Sequence, residues 1–203
     1  MLGLPQSTEV KRPLPKTSLY KQLDWKPQQR ESFDSDVSRL DFVNWITPRT
    51  LPAILFGNEV KEIFVVKVLL KSRDFDIKSI TLLAKSIPQH IVYLLRYDND
   101  IRLAVYHSKL FCSIWQDVDA ATLPLNGLNL DSVWENIVST IGDFSVELDK
   151  SLTEQIKIDE ERDKLLRQIE ALERHMKATK QPRRKREIFK QIQQLKQLDN
   201  NDC

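Results

Sequence analysis

Three residues come closest to forming an enzyme site: Asp41, Glu62 and Lys67. The site they would form is that of a metal-dependent nuclease of the restriction-endonuclease type. Such a site needs an acid two positions before a lysine on one strand, because alternate strand positions face the same metal ion and water. Glu62 lies five positions before Lys67 and therefore faces the opposite side. We predict no catalytic and no metal-binding residue, and keep a divergent or degenerate nuclease as the alternative function.

Two histidines are expected to meet at one end of a β-hairpin. His90 begins one predicted strand, and His107 lies near the end of its neighbour, across a turn at 98–100. Two imidazoles can bind a metal ion or transfer protons. Histidines that merely end two strands are more common, so we favour a structural role for this pair.

Other enzyme chemistry is poorly represented. The chain has no Gly-x-Ser-x-Gly motif, and its four glycines form no phosphate-binding loop. Cys112 and Cys203 lie far apart and predict neither a disulfide nor a zinc site. No apolar run is long enough for a signal peptide or a membrane span. We therefore predict no cofactor, no membrane association and a location in the reducing cytoplasm.

Positive charge is concentrated in residues 174–190, which hold eight Lys or Arg against Glu187 in a chain of net charge +2. Cations are unfavourable at a helix N-terminus by about 0.3–1 kcal/mol each, and Pro182 is a typical first helical residue. The cluster predicts an anionic partner, either DNA or RNA phosphate or an acidic protein, against the alternative of a solvated, salt-screened loop. The predicted binding residues are Arg174, Lys177, Lys180, Arg183, Arg184, Lys185, Arg186 and Lys190.

The nearby aromatic residue, Phe189, is assigned to the apolar stripe of its helix. Without an aromatic side chain among the basic ones, base stacking is not expected. Binding to nucleic acid should then be directed at the backbone and depend strongly on salt.

The elements that carry these residues predict an α+β fold with a mixed four-stranded sheet and flanking helices. Residues 1–16 are predicted as an extended lead-in. The predicted strands are 38–47, 60–71, 90–97 and 101–110, and the predicted helices are 16–23, a segment from Pro27, 75–87 and 128–142. The sheet domain should cover residues 1–148.

The remaining residues, 149–203, predict a C-terminal antiparallel helical hairpin of coiled-coil type with a basic tip. Apolar side chains recur at spacings of three, four and seven on both sides of Thr179–Pro182, as in packed helices. They are Ile158, Leu165, Ile169, Leu172 and Met176, followed by Ile188, Ile192 and Leu195. The same stripes also allow a dimeric coiled coil, so an oligomer formed through these helices is an alternative.

Several stretches resemble an uncharacterised bacterial family known as domain of unknown function 4391. They are MLGLPQSTEV, EIFVVKVLLKSRDFDIKSITLLAKSIPQHIVYLLRY, RLAVYHSKL, GLNLDSVWENIV and QIEALERHMKATKQPRRKREIFKQIQQLKQL. The resemblance implies no activity. It implies a place beside the DNA helicases and methyltransferases of restriction-modification or phage-defence loci, and hence an accessory protein that docks on such a partner.

Overall fold

The computed structural model describes residues 2–144, 151–179 and 181–201, with side chains described as far as residue 196. The chain divides into two compact units, Met1–Ser145 and Val146–Cys203. We call the first the sheet unit and the second the helical unit.

The described residues of the sheet unit form seven strands in one mixed sheet, in the order β1-β2-β3-β4-β5-β6, with β7 also paired to β5. The strands are β1 Glu9–Pro13, β2 Val37–Ile46, β3 Ile63–Leu70, β4 Ile91–Tyr97, β5 Asp100–His107, β6 Lys109–Cys112 and β7 Gln116–Asp117. The helices are α1 Lys16–Gln22, α2 Pro27–Asp36, α3 Ile77–Ser86 and α4 Leu130–Gly142. The predicted α+β class and mixed sheet are confirmed.

The predicted strand number of four is wrong, because β1 and β7 were missed and the predicted strand 101–110 is divided at Ser108, which has a positive φ of 61°, into β5 and β6. The predicted lead-in contains β1, which pairs with the outer edge of β2 and ends at Pro13, where a missing N–H costs nothing. The strands β6 and β7 have four and two residues, too few to show a period of two. Edge strands this short carry little sequence signal of their own.

The central strands follow from their apolar runs. The strand β3 pairs with β2 on one side and runs parallel to β4 on the other, with α3 as the crossover. Asp76 caps α3 by accepting a hydrogen bond from the backbone N–H of Lys78. The turn between β4 and β5 is one residue shorter than predicted, because Tyr97 pairs directly with Asp100 and leaves only Asp98 and Asn99 in the loop.

Helices cover both faces of the sheet. One face carries α1, α2 and α3 over the side chains of Leu40, Val66, Val68, Tyr93 and Leu95, which are all buried. The amphipathic helix α4 packs on β5 and β6. Its buried side chains lie on one stripe: Leu130, Val133, Trp134, Ile137, Val138 and Ile141. The sheet is therefore an interior layer, as its continuous apolar strands require.

The helical unit contains a pair of long helices, α5 Leu152–Ala178 and α6 Pro182–Asn201. The two helices pack on each other around the buried side chains of Ile169, Ile188 and Ile192. Leu165, Leu172, Met176 and Leu195 surround this cluster, and all are positions of the predicted stripes.

Candidate nucleic-acid interface

The basic cluster lies where α5 ends and α6 begins. The first helical bond of α6 runs from the backbone N–H of Lys185 to the carbonyl of Gln181. Pro182 fixes the start of the helix, and the first turn contains no acidic residue. The side chains of Arg183, Arg184, Lys185 and Arg186 are all exposed. Four solvent-exposed cations therefore lie near the unpaired backbone N–H groups at the start of a helix. This helix end is partially positive, so additional positive charge is unfavourable there.

Little of this charge is neutralised by the described residues of the helical unit. Arg183 Nε lies 3.6 Å from Glu187 Oε1, but the two side chains are 95% and 64% exposed, and such pairs contribute little. Across the part of the chain that the structure describes, Arg184, Lys185 and Arg186 make no ion pair. Their charges are available to a partner.

The end of α5 adds further cations. Arg174 and Lys177 are exposed on its last turns, and the hydroxyl of Thr179 closes the helix by donating to the carbonyl of His175 at 2.8 Å. Cations suit this helix end, because the last carbonyls carry partial negative charge. The predicted residue Lys180 lies outside the described residues.

One acid, Glu173, lies next to Arg174 in the sequence and forms an ion pair with α6. Glu173 Oε1 accepts a hydrogen bond from Lys196 Nζ at 2.9 Å. This bond, with the charges of Lys196 and Lys177, lowers the pKa of the Glu173 carboxyl. The pair also joins α5 to α6, and the Glu173 carboxylate offsets part of the charge of Lys177 in the basic cluster.

The assignment of Phe189 to the apolar stripe is wrong. Its side chain is 49% exposed, whereas its neighbour Ile188 is 5% exposed. Successive helical residues point about 100° apart, so a residue next to Ile188 cannot share its face. Phe189 instead lies one turn beyond Lys185 and Arg186, at the i, i+4 and i, i+3 spacings that bring helical side chains together. A helical wheel of α6 would have revealed this from the sequence.

The residues considered for nuclease chemistry form two separate contacts. Asp41 and Lys67 are cross-strand partners, and Arg39 also binds the Asp41 carboxylate. Glu62 instead accepts a hydrogen bond from the indole N–H of Trp45 at 2.9 Å. Asp41 thus pairs with two cations rather than with a second carboxylate.

The two histidines do meet at the sheet end. The β4–β5 register, continued one pair beyond the strand, sets His90 opposite His107. The His90 ring packs edge-on against Trp134, with ring centroids 4.8 Å apart. Burial lowers the pKa of both imidazoles, and the charge of His90 lowers the pKa of His107 further. Both are therefore neutral near pH 7.

The described residues offer little support for a metal site or for a reactive thiol. Among those residues, no group of three or more His, Cys, Asp or Glu side chains is arranged to hold a metal ion. Burial raises the pKa of the Cys112 thiol, which keeps it in the unreactive protonated form. None of the helices searched in the described chain is both long enough and apolar enough to cross a membrane.

One protein-family model matches residues 2–198, nearly the full chain, and carries the description Domain of unknown function (DUF4391). Neither a curated protein nor a solved structure matches this sequence.

Proposed function

The chain belongs to the family described as Domain of unknown function (DUF4391), and from this premise we propose that it is a non-catalytic binding protein. Its C-terminal helix pair binds the phosphate backbone of a nucleic acid through the basic cluster. The family description names no activity, so the argument rests on the charges of the helical unit.

The observation that carries the proposal is the group of exposed cations in the first turn of α6 without an acid in that turn. Arg183 to Arg186 repel one another and the helix dipole, at a cost of about 0.3–1 kcal/mol each. A phosphate group removes both penalties, because its negative charge is attracted to the side chains and to the backbone N–H groups. Each neutralised phosphate also releases a bound counterion, which makes the affinity depend on salt.

The exposed ring of Phe189 favours unpaired bases over a closed duplex. A side chain that is 49% exposed presents part of its ring to solvent, and Lys185 and Arg186 one turn away can bind the adjoining phosphates. Stacking on an aromatic ring contributes about 1–3 kcal/mol per base and requires a base that is free of its partner. The proposed ligand is therefore single-stranded DNA or RNA, with duplex DNA as a weaker ligand.

We also propose that the helix pair is an antiparallel hairpin of coiled-coil type, which projects the basic cluster at its tip. The packing of Ile169 against Ile188 and Ile192 supports this arrangement. In this proposal the protein works in the cytoplasm beside a DNA helicase or methyltransferase of a restriction-modification or phage-defence locus. The sheet unit then serves to dock that larger partner.

The test compares two variants of equal charge. In the tip variant, Arg183, Arg184, Lys185 and Arg186 are all changed to Gln. In the control variant, four exposed cations of the sheet unit are changed to Gln: Arg12, Lys21, Arg49 and Lys78. Binding is measured by fluorescence anisotropy with a labelled 20-nucleotide single strand and its duplex at fixed salt.

The proposal predicts at least a tenfold loss of affinity in the tip variant and a change of less than threefold in the control variant. Equal losses would mean that overall charge, not the cluster, drives binding. Absence of binding by the unmodified protein at low salt would also rule out the proposal.

A further inference from the structure

A cleft of about 440 Å³ lies on the face of the sheet that carries α1 and α3. Its walls come from α1, β2, β3, β4 and the end of α3, and most of the side chains are apolar. Known small-molecule sites have volumes of about 300–1,000 Å³ and a mostly apolar lining with a few polar groups. The cleft has the size and lining of such a site.

The described lining of the cleft carries negative charge and no positive charge. Glu62 is its single ionisable carboxylate, and the described residues that line it include no Lys, Arg or His. The Glu62 carboxylate is half-buried and is held by the indole N–H of Trp45, which donates to Oε2. An anionic ligand would meet this carboxylate without a compensating cation, whereas a cationic ligand would be attracted.

A residue of the cleft wall carries a buried hydroxyl group without a hydrogen-bond partner among the described residues. Tyr93, on β4, lines the cleft and is 2% exposed, and its hydroxyl has no hydrogen-bond partner within the described residues. A buried polar group without a partner is uncommon in folded proteins and needs an explanation. Because Tyr93 also borders a second cavity, with His90 and His107, the assignment of a ligand to the cleft rests on its volume, its apolar walls and Glu62.

We propose that this cleft binds a small apolar molecule with a positively charged head group, such as an alkyl amine. The head group pairs with Glu62 at one end. The hydrocarbon part lies against Phe64 and the neighbouring apolar walls. This site is separate from the basic cluster in both residues and charge, and it stands whether or not the protein binds nucleic acid.

The structure provides a local readout of binding. The indole N–H of Trp25 donates to Ser86 Oγ at 3.0 Å, and that of Trp45 donates to Glu62. Ser86 and Glu62 both line the cleft, whereas Trp115 and Trp134 do not. A ¹⁵N-labelled sample therefore gives two indole signals that report on the cleft and two internal controls.

The experiment titrates the full chain with hexylamine, hexanol and hexanoate, which differ only in the head group. We expect saturable shifts of the Trp25 and Trp45 indole signals, with hexylamine binding about threefold or more tightly than hexanol and hexanoate binding most weakly. The variant Glu62→Gln keeps an acceptor for Trp45 and removes the charge. In this variant hexylamine should lose its advantage while hexanol binding persists.

Three results would overturn the proposal. The first is the absence of saturable shifts at Trp25 and Trp45, or equal shifts at all four indoles. The second is hexanoate binding as tightly as hexylamine. The third is an amine preference that survives in Glu62→Gln, with the fold of each variant verified from the same spectra.

Discussion

Lys67 Nζ lies 3.3 Å from Asp41 Oδ2, across the β2–β3 pair. Arg39 Nε approaches the other oxygen, Oδ1, at 2.7 Å, and Asp41 is only 7% exposed. The carboxylate that a nuclease would offer to a metal ion is thus held between two protein cations. This arrangement favours a structural role for Asp41 and Lys67.

Replacing Lys67 by Met should lower the free energy of unfolding by about 1–3 kcal/mol, because it leaves a mostly buried carboxylate with one cation fewer. Adding Asp41→Asn should recover part of this loss in a double-mutant cycle. Urea denaturation measures both effects. Supercoiled plasmid with Mg²⁺ or Mn²⁺ should remain uncut, and cleavage that disappears in Lys67→Ala would restore the nuclease hypothesis.

Asp131 should anchor the loop before β3 to the start of α4. Its carboxylate accepts hydrogen bonds from the backbone N–H groups of Asn58, Glu59 and Val60. Asp131→Ala should cost about 1–3 kcal/mol, because these donors lose their charged acceptor. Hydrogen exchange at residues 58–60 should accelerate, whereas Asp24→Ala, at an exposed position, should leave it unchanged. Unaltered exchange in Asp131→Ala would contradict this role.

Stability should fall as the pH is lowered from about 7.5, one unit above the histidine pKa of about 6.5 in the unfolded chain. The pKa values of His90 and His107 are lowered from the ordinary value of 6.5, chiefly by burial. The unfolded chain therefore binds protons more readily, and unfolding becomes easier as the pH falls below the unfolded pKa. At Asp131 three amide donors together outweigh burial and lower the pKa below 3.8, so its contribution is lost only at more acidic pH.

The check is the free energy of unfolding measured by urea as the pH is lowered from about 7.5. The double variant His90→Gln, His107→Gln should have a flatter profile than the unmodified protein. An equally steep decline in the double variant would assign the pH dependence to other groups.

Ile188 and Phe189 should differ sharply when each is changed to Ala. Ile188 is buried between the helices, so its loss should cost the helical unit about 2–5 kcal/mol. Phe189 is half-exposed, so its loss should change stability by less than about 1 kcal/mol while weakening single-strand binding. Hydrogen exchange of the α6 amides distinguishes the two variants. A large loss of stability in Phe189→Ala would show that Phe189 packs with the apolar stripe after all.

The central elements were predictable because their patterns are strong. The continuous apolar run of β3 and the three-and-four spacing of α4 left little choice of structure. The short edge strands β6 and β7 were not predictable, because they form by pairing with β5 rather than from their own periodicity. The pattern of apolar residues in a sequence indicates which side chains are buried. Pairing at the edge of a sheet buries few side chains, so it leaves little trace in that pattern.

The functional surfaces were only partly predictable. The basic cluster could be predicted because its Lys and Arg residues lie close together in the sequence. The cleft at Glu62 was not, because it joins residues from five elements that come together only in the folded sheet unit. Tyr93 illustrates the limit, since its place in an apolar strand gives no sign that its hydroxyl lacks a partner among the described residues.

The salt dependence of single-strand binding tests the central claim most directly. If Arg183, Arg184, Lys185 and Arg186 neutralise phosphates, a plot of log K against log salt should lose about 0.7 of slope per cation, or roughly 3 in the tip variant. The sheet-unit control variant should keep the slope of the unmodified protein. A slope that is unchanged in the tip variant, or reduced equally in both variants, would contradict the account.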